Sequence, residues 1–337
     1  MTIKRIALLT SGGDAPGMNA AIRAVVLSAH HYKIEVLGFY SGYNGLINDH
    51  SKVLSLHDVD GIIHRGGTIL KSARCPELLN EIGINQAVLT LMKNKVDALI
   101  VIGGDGSFNG LLHIEKNWLG QVIGIPGTID NDVDGTDLTI GFSTAINTAI
   151  EAIDKIRDTA DAFERIFVVE LMGRHSGHIT FNVGIACAAE KVLSFENVNA
   201  NNEKEILKEV AQEIKVAQKE RHASYLIVIA ENLWTGGVTE FSRQLKNEAG
   251  IDCTPCILGY IQRGGSPVAK DRILATKMGV AGVQAIIANE SNVMIGEQNN
   301  SIVLVPLADA IKHKKQVSQS LVAAQQNILA LTAQTQC

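Results

Sequence analysis

Val122-Ile123-Gly124-Ile125-Pro126-Gly127-Thr128-Ile129-Asp130-Asn131-Asp132 holds both the fold and the chemistry of this chain, because an apolar run ends directly in a glycine, a hydroxyl and two carboxylates. Acid groups packed this closely need a cation or a reacting hydroxyl to answer to. Two further runs end the same way. Residues 6–10 lead into Ser11-Gly12-Gly13-Asp14, and residues 98–102 lead into Gly103-Gly104-Asp105-Gly106-Ser107. Together the three turns describe a phosphate and metal site.

Outward from these turns, short apolar runs at 35–40, 166–171 and 225–230 alternate with longer segments of helical period. That alternation predicts an α/β fold with mainly parallel sheets covered by helices. Runs that are apolar on both faces predict a sheet buried on both sides, with ligands taken at the strand carboxyl ends, where all three turns sit. Residues 202–222 read as a surface helix, with Ile206, Leu207, Val210, Ile214 and Ala217 on its apolar face. Residues 317–331 read as a terminal helix docked on the body.

The chain has 337 residues, enough for two domains at a prior of ~150 residues each. A net charge of −5, 19% charged residues and no long block of like charge argue against nucleic-acid and membrane-surface partners. The first apolar run is too short for a signal peptide, and no run approaches the ~18 apolar residues of a membrane span. The 5 cysteines read as reduced thiols, so a cytoplasmic location is expected. Cys253 and Cys256 have redox or zinc spacing but no second cysteine pair, and their strand-like surroundings predict buried free thiols. His175 and His178 likewise lack metal-site company.

Each turn has a competing structural reading. Gly12 and Gly13 precede a helical segment at 20–29, whose free N–H groups and dipole favour an anion, although no Walker or dinucleotide signature is present. An empty strand–helix turn is the alternative. Asp105 between glycines suits a nucleotide phosphate and Mg²⁺, or else it is a helix N-cap. Alternation in an extended segment would place Thr128, Asp130 and Asp132 on one side, with Ile129 opposite; a self-bonded Asx turn is the alternative there. Arg65, Arg74, Arg165, Arg174 and Arg263 all lie in or beside glycine-rich turns, where an arginine fork suits phosphate oxygens.

The ordered motifs Thr10-Ser11-Gly12-Gly13-Asp14-Ala15-Pro16-Gly17-Met18-Asn19, Arg65-Gly66-Gly67-Thr68 with Ser72-Ala73-Arg74, Gly103-Gly104-Asp105-Gly106-Ser107, Pro126 to Asp132, Met172-Gly173-Arg174 and Gln262-Arg263-Gly264-Gly265-Ser266-Pro267 span nearly the whole chain. On these the sequence resembles the bacterial ATP-dependent 6-phosphofructokinases. The resemblance implies two three-layer α/β domains, 1–140 plus 262–312 for ATP and 141–261 plus 313–337 for the sugar phosphate, with the active site in the cleft between them. It implies ATP on Gly13, Arg74, Cys75, Gly104, Asp105, Gly106 and Ser107, with Asp105 on Mg²⁺. It makes Asp130 the base for the sugar hydroxyl, with Thr128, Asp132, Arg74 and Arg174 in the catalytic group. Thr128, Ile129, Asp130, Met172, Gly173, Arg174, Glu231 and Arg263 would line the sugar-phosphate side, and Arg165 would reach in from a neighbouring subunit of a homotetramer.

The resemblance also speaks to donor and regulation. Relatives that use pyrophosphate carry Asp where Gly106 stands and Lys where Gly127 stands; glycine at both favours ATP. The family's arginine and histidine on the sugar 6-phosphate are replaced by Thr254 and Tyr260. Charge-assisted bonds of about 1.5–3 kcal/mol each would be lost, at least ~100-fold in affinity for two, less what the tyrosine hydroxyl restores. At the family's effector site Arg23 and Arg157 match, but Leu27 and Leu56 replace arginines and Gly61 replaces an aspartate. Weak or absent effector control is therefore expected.

Overall fold

The computed structural model describes residues 3–198, 202–221 and 224–334. The chain divides into two compact units, Met1–Thr144 with Arg263–Lys315, and Ala145–Gln262 with Gln316–Cys337. Among the described residues no helix is long and apolar enough to cross a membrane.

The first unit is built from β1 (Arg5–Thr10), α1 (Met18–His31), β2 (Glu35–Phe39), α2 (Tyr43–Ile47), β3 (Ser51–Val53), α3 (Glu81–Lys93), β4 (Ala98–Gly103), α4 (Asp105–Glu115), β5 (Gln121–Thr128) and β6 (Ile140–Gly141). α5 (Phe142–Phe163) starts in this unit and continues into the second. The second unit adds β7 (Ile166–Leu171), α6 (His178–Ala186), β8 (Lys191–Leu193), α7 (Glu203–Arg221), β9 (Tyr225–Ala230), α8 (Gly237–Ala249) and β10 (Cys253–Ile257). The chain then returns to the first unit with α9 (Ala269–Ile287), β11 (Val293–Gln298), β12 (Ser301–Pro306) and α10 (Leu307–Lys312), and α11 (Gln319–Gln334) ends in the second.

In the first unit the strands run in the order β12-β11-β5-β4-β1-β2-β3, with β6 beside β5. The pairs β1–β2, β1–β4, β4–β5, β5–β6 and β5–β11 are parallel, and β2–β3 and β11–β12 are antiparallel. Alternation divides each central strand between two layers. Ala7, Leu9, Leu99 and Val101 join the core around Leu91, Phe108 and Leu111 of α3 and α4. Ile100, Ile123 and Ile125 point the other way, against Gly282 of α9. α9 and α1 pack closely because Gly279 has no side chain: a Cβ there would stand 2.6 Å from the Ala24 Cβ.

This strand order has a functional consequence. The chain winds outward from β1 to β3, then resumes with β4 on the other side of β1. The carboxyl ends of β1 and β4 therefore diverge at a topological switch point, the place where open α/β sheets take ligands. The Ser11 amide donates to the Ile102 carbonyl at 3.0 Å there, joining the first two glycine turns.

Among the described residues the second unit has four parallel strands in the order β10-β7-β9-β8. α7 packs on it through Ile206, Leu207, Val210 and Ile214, with Ala217 partly buried, as its period predicts. His222 of the expected helix lies outside the described residues. Val322 of α11 is buried. The expectation of buried thiols at Cys253 and Cys256 is corrected, since both are only half-buried. They belong to β10, which among the described residues is an edge strand beside β7.

Candidate functional site

Three turns of the first unit converge on one end of its sheet. β4 ends at Gly103, paired to Pro126, and β5 runs two residues further, to Thr128. The Gly104 turn and the acid-bearing loop are thus neighbours: a Cβ on Gly104 would lie 3.6 Å from the Thr128 side chain. Glycine at 103 is obligatory, because a Cβ would fall 2.5 Å from the Ser107 hydroxyl and 2.7 Å from the Ser11 carbonyl. At Gly106 a Cβ would meet nothing within 4 Å. That open side is where a ligand has room.

α4 begins at Asp105 with Gly104 as its N-cap and no capping side chain, so Asp105 is the first helical residue and not the cap. The positive end of the helix dipole faces the turn without a side chain closing it. The buried Tyr43 hydroxyl donates to the Ser107 carbonyl at 2.6 Å and fixes this turn from behind.

The segment 65–75 docks on the first glycine turn. The Ser72 hydroxyl donates to the Gly12 carbonyl at 2.7 Å, and the Thr10 hydroxyl donates to the Lys71 carbonyl at 2.8 Å. Asn19, 1% exposed, donates to the Arg65 and Gly66 carbonyls and accepts from the Ile69 amide. Arg74 is exposed and Cys75 half-buried at the end of this segment. The Arg263 guanidinium lies over Gly13: its Nη1 donates to the Asp14 carbonyl at 3.2 Å, and a Cβ on Gly13 would stand 2.4 Å from it. Arg263 therefore belongs to the first glycine turn in this conformation.

Thr128, Ile129, Asp130 and Asp132 are all buried, but the extended geometry expected for them is corrected. β5 stops at Thr128, and Asn131 takes the left-handed conformation with φ 54°. The reason is hydrogen bonding both within the turn and to the returning arm of the loop. The Asp130 amide donates to the Thr128 hydroxyl at 3.2 Å, and the Asn131 side chain accepts from the Thr139 amide at 3.0 Å. The turn alternative of the sequence thus describes the backbone, while both carboxylates remain within it. Gly127 is tightly packed, a Cβ there standing 2.9 Å from Ile102 and 3.2 Å from Met18.

In the second unit, Met172, Gly173 and Arg174 follow β7, and Glu231 follows β9 beside it. The Glu231 carboxylate accepts from the Gly173 amide at 3.1 Å and the Arg174 amide at 2.7 Å. These bonds hold a turn in which Gly173 has φ 147° and Arg174 φ 61°. Met172 is fixed by its amide donating to the buried Gln262 at 2.9 Å. Arg165 stands at the other end of β7, exposed, with its guanidinium 4.7 Å from the Phe163 ring. A six-residue strand at ~3.3 Å per residue separates it from Met172. Thr254 and Tyr260 are both exposed.

The positions that the resemblance likens to an effector site also divide. Arg23, Leu27, Leu56, His57, Val59 and Asp60 line a pocket of about 270 Å³ in the first unit, with Gly61 exposed beside it. Arg157, in the second unit, bonds the Glu190 carboxylate at 3.0 and 3.2 Å and the carbonyls of Cys187 and Ala188 at 2.9 Å. Its fork is occupied by its own unit.

The residues that sequence reasoning overlooked are polar groups with long-range partners. Asp271, 1% exposed on α9, accepts from the Thr144 amide at 2.7 Å, the Thr144 hydroxyl at 2.5 Å and the Gly141 amide at 3.1 Å, securing the start of α5 and β6. Burial pushes its carboxyl above the ordinary value despite those bonds, as it does for Glu170 under the α8 N-terminus. Burial also lowers the Lys315 amine to about 8. For Asp271 the sequence signal is a charged residue on the apolar face of a helix.

A parallel sheet that delivers glycine turns and an uncapped helix N-terminus to a switch point, with carboxylates alongside, describes an α/β protein that handles phosphate groups. The phosphofructokinase family model matches residues 5–286. The chain is 45% identical over 330 residues to "ATP-dependent 6-phosphofructokinase 1" of Thermus thermophilus, covering 98% of this chain and 100% of that one. It is 47% identical to the ATP-dependent 6-phosphofructokinase of Clostridioides difficile, covering 93% of this chain and 95% of the other. The solved structure of phosphofructokinase from Saccharomyces cerevisiae matches with TM-score 0.83 and 34% identity over 96% of this chain, which spans 47% of the yeast polypeptide. The chain belongs to the phosphofructokinase family.

Proposed function

We propose that this chain transfers the γ-phosphoryl group of ATP to the 1-hydroxyl of D-fructose 6-phosphate, giving fructose 1,6-bisphosphate in the committing step of glycolysis. The observation that carries this reading is the pairing of β4 with β5, which sets the Gly104 turn against the Thr128 side chain, where the loop bearing Asp130 and Asp132 begins. A triphosphate on the turn then presents its terminal phosphate to the loop. Its relatives of like length and 45–47% identity carry the same activity in their names.

Phosphoryl transfer is mainly positioning and electrostatics. Gly13, Gly104, Gly106 and Ser107 supply space and backbone N–H groups for the phosphates, and the α4 dipole favours their charge. Asp130 accepts the proton of the attacking hydroxyl, with Thr128 and Asp132 holding that hydroxyl. Arg74 offsets charge on the transferring group, and Arg174, Met172, Gly173, Glu231 and Arg263 bind the sugar phosphate. Among the described residues no group of three His, Cys, Asp or Glu could hold a metal alone. One carboxylate, Asp105, with nucleotide oxygens and water suits Mg²⁺, which arrives with its nucleotide. When bound, that cation neutralises phosphate charge.

The open side of Gly106 and the crowded side of Gly127 support ATP over pyrophosphate, because an Asp at 106 would enter the nucleotide space and a Lys at 127 would have to displace Ile102 and Met18. The separation of Arg165 from Met172 supports its use by a neighbouring copy, as in a homotetramer. The engagement of Arg157 with Glu190 and the leucines at 27 and 56 support weak effector control. The test is turnover of fructose 6-phosphate with ATP and with pyrophosphate, each with Mg²⁺. Saturable turnover with ATP is expected, and turnover with neither donor refutes the proposal.

A further inference from the structure

We infer that Asn131 is a positioning residue, whose side chain folds the 128–139 loop so that Thr128, Asp130 and Asp132 present a fixed geometry to the attacking hydroxyl. The inference rests on the proposed reaction. It starts from a conformational anomaly: Asn131 sits between the two acids at φ 54°, a region that L residues seldom adopt and that Asn tolerates best. It is also 3% exposed, so the conformation is not a surface accident.

The amide of Asn131 spans the mouth of the loop. Its oxygen accepts from the Thr139 amide at 3.0 Å and lies 3.4 Å from the Thr139 hydroxyl, and its nitrogen approaches the Asp137 carbonyl at 3.4 Å. The Thr139 hydroxyl in turn donates to the Thr128 carbonyl at 2.6 Å, while β6 pairs Ile140 with Gly127 and Gly141 with Thr128. The returning arm is therefore bound to both the start of the loop and its turn. On the far side the Lys315 amide donates to the Asp132 carbonyl at 3.1 Å, and Val133 bridges to Lys314. Asp130 thus lies between two anchored points, and the Asn131 side chain is the link through which Thr139 sets the turn that follows it. Buried polar bonds of this kind fix one conformation, since breaking any of them leaves an unsatisfied group.

The test uses the full chain and three variants. Asn131→Gly keeps the left-handed backbone and deletes the amide bonds; Thr139→Val deletes the bond to Thr128, and Thr139→Ser retains it. A displacement of about 1 Å in a reacting group costs on the order of 100-fold. We expect Asn131→Gly to lower kcat by about that factor with KM for ATP within about twofold, Thr139→Val to lower kcat about 10-fold, and Thr139→Ser to recover most of it. Melting temperatures recorded alongside separate positioning from folding. A kcat for Asn131→Gly within about twofold of the unaltered chain overturns the inference, as does a loss of kcat, ATP affinity and melting temperature together with no recovery by Thr139→Ser. No turnover by the unaltered chain refutes the reaction itself, and the inference with it.

Discussion

Replacing Gly106 with Asp should move stability and ATP affinity in opposite directions. The residue is exposed, is the second of α4, and its Cβ direction is open to beyond 4 Å, so the backbone accepts a side chain without strain. Asp has a better helix propensity than Gly, and a carboxylate in the first turn gains about 0.3–1 kcal/mol from the dipole. Together these give about 0.5–1 kcal/mol, or roughly 1–4 °C in melting temperature for a unit of this size. A nucleotide phosphate ~6 Å away would meet a like charge worth about 3 kcal/mol at an effective dielectric of 20, which solvent screening reduces to ~1.5 kcal/mol. The expected rise in KM for ATP is about 10-fold. Initial rates over a range of ATP, with thermal melts of the same preparation, read both quantities. An ATP KM within about twofold of the unaltered chain, in a variant whose melting point is unchanged or raised, refutes the placement of the nucleotide on this turn.

Asp130→Ser should lower kcat by about 10²–10⁴ while leaving KM for ATP nearly unchanged, and full activity would remove Asp130 as the base. Asp271→Ala leaves three buried donors at the start of α5 unsatisfied, costing about 3 kcal/mol; a melting point lowered by roughly 6–12 °C is expected in thermal denaturation. Lys315 is lowered to about 8 from 10.5, so between those values the folded chain binds fewer protons than the unfolded one, and the stability of the unaltered chain relative to Lys315→Met should rise as pH climbs through that window. Denaturant midpoints at pH 7.5 and 10 measure it. Saturating phosphoenolpyruvate should leave the rate unchanged, and strong inhibition would show that Leu27 and Leu56 are compensated elsewhere.

Much of the first unit was legible because its signals are local. A run such as Ala98 to Gly103 is apolar throughout, as a strand buried on both faces must be, and glycines at 103 and 104 follow without interruption. α7 was equally legible from its period. The extended geometry assigned to Thr128–Asp132 was wrong for a nonlocal reason: the turn at Asn131 depends on Thr139, whose position is set by β6 pairing with β5. The thiols of Cys253 and Cys256 were misjudged because an apolar strand does not reveal whether it lies at the centre or the edge of its sheet.

The amino-acid order alone determined the alternation of strands and helices, the residues that end each strand, and the chemical inventory of glycines, carboxylates and arginines, since each depends on side-chain type and spacing along the chain. Strand order, and with it the neighbourhood of the Gly104 turn and the Asp130 loop, was decided only in three dimensions, because pairing joins residues far apart in the chain. Tertiary structure likewise decided that Arg157 is engaged by Glu190, that Arg263 lies on Gly13, and that Asp271 and Asn131 are buried and bonded. A polar side chain has no fixed role until the fold supplies or withholds its partners.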